Sequence, residues 1–310
     1  MGEIVGEEDE SSLDITTPPF RAGEISAPAE LEQMIITMRD RVDELKATIP
    51  SHPDYKQLCV FIDPIDGTKE FCTGKGEQCS ICIGLADRTS GMTVAGLVYR
   101  PLCPIRSYGL GCVSEGIKES RLQQHEALPG GAFLVSNGGA SPFLEQLQAE
   151  LGYALRGQGG AGNKALRVLE EANGCYIQDR GVSRWDTCAA QAVIEAHGGC
   201  FLQLHPLTIA PADAPAPRTR YRYLKGPTNA DFVPGVTRLN KYNAVRGALS
   251  EAEAAKGAPP KYASELEQLK PYSNLLGHVA LRDGGEAAVE GARAAILRAA
   301  AKEGCAPAFD

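Results

Sequence analysis

The chain has 310 residues, is 43% hydrophobic and 23% charged, and carries a net charge of −8 with a pI near 5.3. This length suffices for a sizeable core, as one large domain or two halves. An acidic chain without a basic stripe argues against a nucleic-acid polymer as partner. No apolar run reaches transmembrane length and no signal peptide is visible, so no membrane partner and a cytoplasmic location are expected.

Ile4-Val5 leads into the acidic run Gly6-Glu7-Glu8-Asp9-Glu10, which alone reads as a solvated acidic segment. Residues 11–29 are polar and proline-bearing, hence loop. Leu31, Met34, Ile35, Met38, Val42 and Leu45 recur at helical spacing and predict a core-facing amphipathic helix over 30–48. Strands are predicted at 58–62, about 79–87 and about 92–99, the last two joined by the hairpin signal Arg88-Thr89-Ser90-Gly91, with two short strands in 105–117. The first half is placed at 1–128 and the second at 129–310. In the second half β and α alternate: a strand at 132–136, a helix opened by Ser141-Pro142 and closed by Gly152, a helix over 163–172, a strand at 175–178, a helix from Asp186 to Gly198-Gly199, and a strand at 200–204. Residues 206–273 break this pattern with the low-complexity run 210–217 and are read as an insertion with one polar helix near 261–270. A strand at 275–281 and an Ala-rich helix over 286–302 close the chain. The ten cysteines are scattered; Cys79 and Cys82 would point to opposite faces of a strand, which disfavours a zinc knuckle and favours buried free thiols.

The motif Asp63-Pro64-Ile65-Asp66-Gly67-Thr68 follows the apolar run 58–62. It brings two carboxylates, a free Ile65 carbonyl, a hydroxyl and the amides of Gly67 and Thr68 to one strand end. Mg²⁺ prefers such hard oxygen ligands. Pro64 biases Asp63 towards an extended conformation, and Gly67 lets backbone approach an anion. Taken alone, the same residues also compose a common surface turn; an EF-hand spacing is excluded by Ile65, Gly67 and Thr68 at positions that need other residues. Asp186, at a predicted helix start, reads alone as a helix cap. Gly157-Gln158-Gly159-Gly160-Ala161-Gly162 formally matches a dinucleotide-binding turn, a second hypothesis weakened by a short preceding strand and a mid-chain position.

Four stretches carry a family resemblance: Ile-Val-Gly-Glu-Glu-Asp (4–9), Asp-Pro-Ile-Asp-Gly-Thr-Lys-Glu-Phe (63–71), Gly-Gly-Ala-Gly-Asn-Lys (159–164) and Trp-Asp-Thr-Cys-Ala (185–189). In this order they resemble the Mg²⁺-dependent, lithium-sensitive phosphatase superfamily. That group includes inositol monophosphatase, fructose-1,6-bisphosphatase, inositol polyphosphate 1-phosphatase and 3′(2′),5′-bisphosphate nucleotidase. Lys69-Glu70 is similar to the nucleotidase branch. The resemblance implies an α+β fold layered αβαβα, lacking the family's N-terminal helices. It implies about two to three Mg²⁺ ions held by Glu7, Asp63, the Ile65 carbonyl, Asp66 and Asp186. Thr68 would orient the attacking water, with Asp66 in the catalytic set, and Gly67, Thr68, Ser136, Gly160 and Lys164 would contact substrate. Lys164 alone also fits a solvated surface residue. The implied reaction is hydrolysis of a small phosphate ester, adenosine 3′,5′-bisphosphate to AMP and phosphate, with its phosphosulfate analogue as a further substrate. The alternative is an inositol polyphosphate 1-phosphatase-like activity. In the family an Asp upstream of Gly-Glu-Glu activates the water with the Thr, whereas five residues precede Gly6 here. The resemblance therefore also admits an incomplete gene product or an inactive relative. Ala190 and the loop Ser136-Asn137-Gly138-Gly139 are smaller departures.

Overall fold

Alternating burial along residues 58–112 builds a sheet covered tightly on one face only. The computed structural model describes residues 3–6, 28–49, 52–123, 125–126, 128–211, 213–224, 273–274 and 277–307. In chain order the elements of the first half are β1 (Glu3–Gly6), α1 (Ala29–Thr48), β2 (Leu58–Asp66), α2 (Thr68–Cys72), β3 (Ser80–Asp87), β4 (Thr93–Arg100), β5 (Ser107–Cys112) and β6 (Ile117–Arg121). The six strands form one sheet in sequence order, antiparallel except for the parallel β1–β2 pair.

The second half follows as β7 (Ala132–Val135), α3 (Pro142–Leu151), β8 (Ala154–Gly157), α4 (Ala161–Glu170), β9 (Gly174–Gln178), β10 (Val182–Ser183), α5 (Arg184–Ala196), β11 (Cys200–Gln203), α6 (Leu204–Ile209), β12 (Ser273–Asn274), β13 (His278–Leu281) and α7 (Glu286–Ala300). Five of these strands make a second sheet in the order β11-β13-β9-β7-β8. Ser141 caps α3 through its hydroxyl, and Gly152, at φ +68°, ends it.

Helices α4 and α5 lie between the two sheets, and α3, α6 and α7 cover the far face of the second. A row of glycines explains how closely α5 lies on the first sheet. Gly84, Gly96 and Gly111 are register partners across β3, β4 and β5. A Cβ on Gly84 would stand 2.6 Å from the Ala189 nitrogen, one on Gly96 2.7 Å from the Ala189 Cα, and one on Gly111 2.6 Å from the Ala196 Cβ. Small residues on both surfaces thus bring the helix backbone down onto the strands and fix where α5 begins.

The protein is an α+β layered fold, and four layers, βαβα, are present among the described residues. Nothing described covers the outer face of the first sheet in the manner of the outer layer of an αβαβα sandwich. Helix α1 does form over the expected residues but has no buried side chain; Leu31 is 40% and Met38 61% exposed. Helical spacing reports an apolar stripe, not what covers it. The insertion expected at 206–273 also needs correction at its start. Tyr221 and Tyr223 are buried in the core, the Tyr223 amide donates to the Gly91 carbonyl at 2.7 Å, and its hydroxyl to Gln191 Oε1 at 2.7 Å. Residues 225–272, with the helix expected near 261–270, lie outside the described residues. None of the ten cysteines forms a disulfide, and most of them are buried.

Candidate metal centre

The Asp-Pro-Ile-Asp motif forms the last residues of β2 rather than a loop beyond it. A register shift against β3 between Asp63 and Asp66 lets both carboxylates sit buried at the strand end. Asp63 Oδ1 accepts from the Ile65 amide at 3.0 Å, a local bond that fixes its rotamer. Asp66 is gripped harder. Its Oδ1 accepts from the Ala161 amide at 2.8 Å, and its Oδ2 from the Gly162 amide at 2.8 Å and from the Ser80 hydroxyl at 2.5 Å. The amides open α4, so the carboxylate meets the positive end of that helix.

Asp186 arrives from the second half. Ser183, not Asp186, is the N-cap of α5; Asp186, the third residue of the helix, closes a capping box and accepts from the Ser183 amide at 3.1 Å. Carboxylate oxygens of Asp63, Asp66 and Asp186 all lie within 4.8 Å of one another. Two of the three residues are buried, and a cation would offset the repulsion between like charges this close. The donor set is hard oxygen only, and the geometry suits a divalent metal ion.

The remaining expected residues are placed as follows. Thr68 directs its hydroxyl to the Ile65 carbonyl at 3.2 Å, beside the cluster. Gly67 takes φ +87°, and a Cβ there would stand 3.5 Å from the Gly160 Cα, so metal loop and α4 turn meet at two glycines. Gly160 is equally constrained: a Cβ would lie 2.7 Å from the Gln78 carbonyl oxygen and 2.8 Å from Asp66 Oδ2. Lys164 is not a surface residue; it is 4% exposed, with its ammonium 4.8 Å from the Tyr176 ring centroid and 3.5 Å from the Gln158 carbonyl. Burial pulls its pKa down, against the raising influence of Asp66, Glu70 and Asp186. Ser136 is exposed and lines a cleft of about 130 Å³ with Tyr176, Asp179 and Arg180. Glu7 lies outside the described residues; β1 ends at Gly6, opposite Ile62.

Gly157 to Gly162 do form a strand–turn–helix, β8 into α4, as a dinucleotide-binding turn requires. The α4 amides that would take a pyrophosphate hold Asp66 instead, which removes the basis of that alternative. Residues that the sequence did not flag are Ser80 and Gln78; Asn137 stood out only as part of the departing loop 136–139. Gln78 Oε1 accepts from the Gly159 amide at 2.6 Å and from Asn137 Nδ2 at 2.9 Å, and Asn137 Nδ2 also reaches Glu70 Oε1 at 3.0 Å. Beneath the site, Arg100 pairs with buried Glu170 and donates to Asn163 Oδ1 at 3.0 Å, while Arg167 pairs with Glu171 at 2.8 Å.

Residues 26–222 match the Inositol monophosphatase family. A curated relative, 3′(2′),5′-bisphosphate nucleotidase 1 of Homo sapiens, is 27% identical over 207 residues, covering 59% of this chain and 63% of its own. Inositol monophosphatase 3 of Xenopus tropicalis is 26% identical over 180 residues, covering 55% and 49%. The chain thus spans less than two thirds of the length of either relative. Among solved structures, an inositol monophosphatase from Zymomonas mobilis is 15% identical over 92% of this chain and 87% of its own, with a TM-score of 0.47.

Proposed function

Since the chain belongs to the inositol monophosphatase family and carries a three-carboxylate centre, we propose that it is a metal-dependent phosphomonoesterase acting on adenosine 3′,5′-bisphosphate. The observation that carries this reading is the convergence of Asp63, Asp66 and Asp186 within 4.8 Å at the meeting of both halves. The substrate class is supported by Lys69-Glu70 and by the relative named as a bisphosphate nucleotidase.

Asp63, Asp66, Asp186 and the Ile65 carbonyl would hold Mg²⁺, with Glu7 as a further ligand from the residue after β1. The bound ions, about two to three, supply Lewis acidity, a lowered pKa of bound water and a template for the phosphate. Thr68 orients the attacking water through its hydroxyl, using the Ile65 carbonyl as its own acceptor. The amides of Gly67 and Thr68 face the phosphate oxygens from the start of α2 and offset charge that develops on them. Gly160 keeps the backbone close enough for substrate to approach, and Lys164 lowers the negative potential of the carboxylate floor from below. Ser136, on the loop after β7, would contact the nucleoside. Ten cysteines without a disulfide among them fit a reducing, cytoplasmic compartment.

A second reading, hydrolysis of an inositol phosphate, is supported by the relative named as inositol monophosphatase 3. The test is phosphate release from adenosine 3′,5′-bisphosphate and from inositol 1,4-bisphosphate, with and without Mg²⁺, beside an Asp63→Asn control. Mg²⁺-dependent release that is lost in the control is the expected result, and the faster substrate decides between the readings. No release from either substrate at any Mg²⁺ concentration refutes both.

A further inference from the structure

Gln78 closes the turn Gly76–Gln78 between α2 and β3 and belongs to no motif. Yet it bonds to the loop after β7 and to the turn before α4, and it lies against Gly67. Its side-chain oxygen accepts from the Gly159 amide at 2.6 Å and from Asn137 at 2.9 Å. Its main-chain oxygen lies where a Cβ on Gly67 would be 3.4 Å away and one on Gly160 2.7 Å away. Gly159 is itself pressed against Glu70, since a Cβ there would stand 2.1 Å from the Glu70 Cγ. From its other side the Gly159 carbonyl accepts from Asn163 Nδ2 at 2.9 Å. The Gly159–Gly160 turn is thus fixed by α4 itself on one side and by Gln78, from the first half, on the other.

What the turn fixes is Asp66. Three of the roughly four lone-pair sites of that carboxylate accept from Ala161, Gly162 and Ser80, leaving one, on Oδ1. A metal ion at Asp66 therefore depends on where the Ala161 amide leaves that oxygen facing. We propose that Gln78 is a positioning residue for the metal centre: it clamps the Gly159–Gly160 turn to the metal loop, so that the α4 amides hold Asp66 with its last lone pair towards the other carboxylates. Asn137, reaching across from the end of β7, orients the Gln78 amide by donating to the same oxygen. The metal part of this proposal rests on the reading of the centre given above; the clamp does not.

The variants are Gln78→Leu, which removes the acceptor, and Gln78→Glu, which keeps it. Amide hydrogen exchange is followed over peptides covering 157–163, in EDTA. Loss of one net hydrogen bond corresponds to roughly 3- to 10-fold faster exchange, expected in Gln78→Leu, with the rest of α4 unchanged and Gln78→Glu near the parent. Mg²⁺ affinity by calorimetry should fall by the same factor of about 3 to 10 in Gln78→Leu and be retained in Gln78→Glu. Unchanged exchange in a folded Gln78→Leu overturns the clamp. Faster exchange with unchanged Mg²⁺ affinity overturns its coupling to the metal. A parent that takes up no Mg²⁺ overturns the metal reading and that coupling together, while exchange still decides the clamp. If Gln78→Leu does not fold, Asn137→Ala, at an exposed loop position, carries the same exchange readout.

Discussion

Ser80→Ala isolates the polar contact that ties β3 to the metal loop. Ser80 is 1% and Asp66 5% exposed, and the hydroxyl donates to Oδ2 at 2.5 Å. A hydrogen bond to an ionised group contributes about 1.5–3 kcal/mol. Both partners are shielded from water, so little of that is recovered by solvation in the variant. Oδ2 keeps the Gly162 amide, which limits the damage to one bond. The expected loss is therefore about 1.5–3 kcal/mol, read as a lower urea midpoint at unchanged m value in EDTA, where no metal competes for the carboxylate. A cycle with Asp66→Asn tests the assignment: most of the loss should vanish when the carboxylate is already gone. A loss below about 0.5 kcal/mol, or full additivity in the double variant, refutes the view that this bond holds Asp66.

Gly96→Ala places a methyl 2.7 Å from the backbone of Ala189 and should cost about 1–3 kcal/mol in urea unfolding; because α5 carries Asp186, Mg²⁺ affinity should fall with it. Gly291→Ala is the contrast: an exposed site within α7 with open space around its Cβ, it should stabilise by roughly 0.5–1 kcal/mol. His278 stacks on Phe201 at 4.9 Å, lies edge-on to Tyr176 at 4.5 Å, and neither ring nitrogen has a partner among the described residues. Burial, with a smaller contribution from Lys164, pulls its pKa from 6.5 to about 3. The unfolded chain then binds a proton that the folded chain refuses. The associated stability is complete above pH 6.5 and is lost as pH falls towards 3. Unfolding followed from pH 7 to 4 should show His278→Phe losing less than the parent, by about 1.4 kcal/mol per pH unit in the lower part of the range; parallel pH profiles refute it.

Much of the metal centre was legible because its chemistry is local. Asp63, Asp66 and Thr68 share one strand end, and Asp186 stands in the first turn of a helix whose alanines are visible in the sequence. The hairpin at 88–91 and the capped α3 were legible for the same reason, since turn and cap residues act within a few positions. What escaped depends on pairings between distant segments. Ser80 becomes a partner of Asp66 only through the shifted β2–β3 register. Gly84, Gly96 and Gly111 look like weak strand residues until Ala189 and Ala196 are laid on them. Tyr221 and Tyr223 follow a proline-rich run that suggested an excluded segment, yet they complete the core between the halves.

The sequence set two readings of each acidic residue against one another: a turn former or a metal ligand for Asp63 and Asp66, a helix cap or a metal ligand for Asp186. The structure shows that this choice was not forced. A carboxylate has about four lone-pair sites. Asp63 accepts from the Ile65 amide, Asp186 from the Ser183 amide, and Asp66 uses three on Ala161, Gly162 and Ser80. The bonds that make these residues good turn and cap formers also fix their rotamers, and on Asp66 they leave one acceptor site, on Oδ1. This places the tightest restriction on Asp66, whose amide partners belong to a helix in the other half. The separation between halves is therefore set at the same carboxylate that the proposed function assigns to the metal. Any change that moves α4 against β2, even one remote from the phosphate, should register first as a loss of metal affinity and only afterwards as a loss of fold.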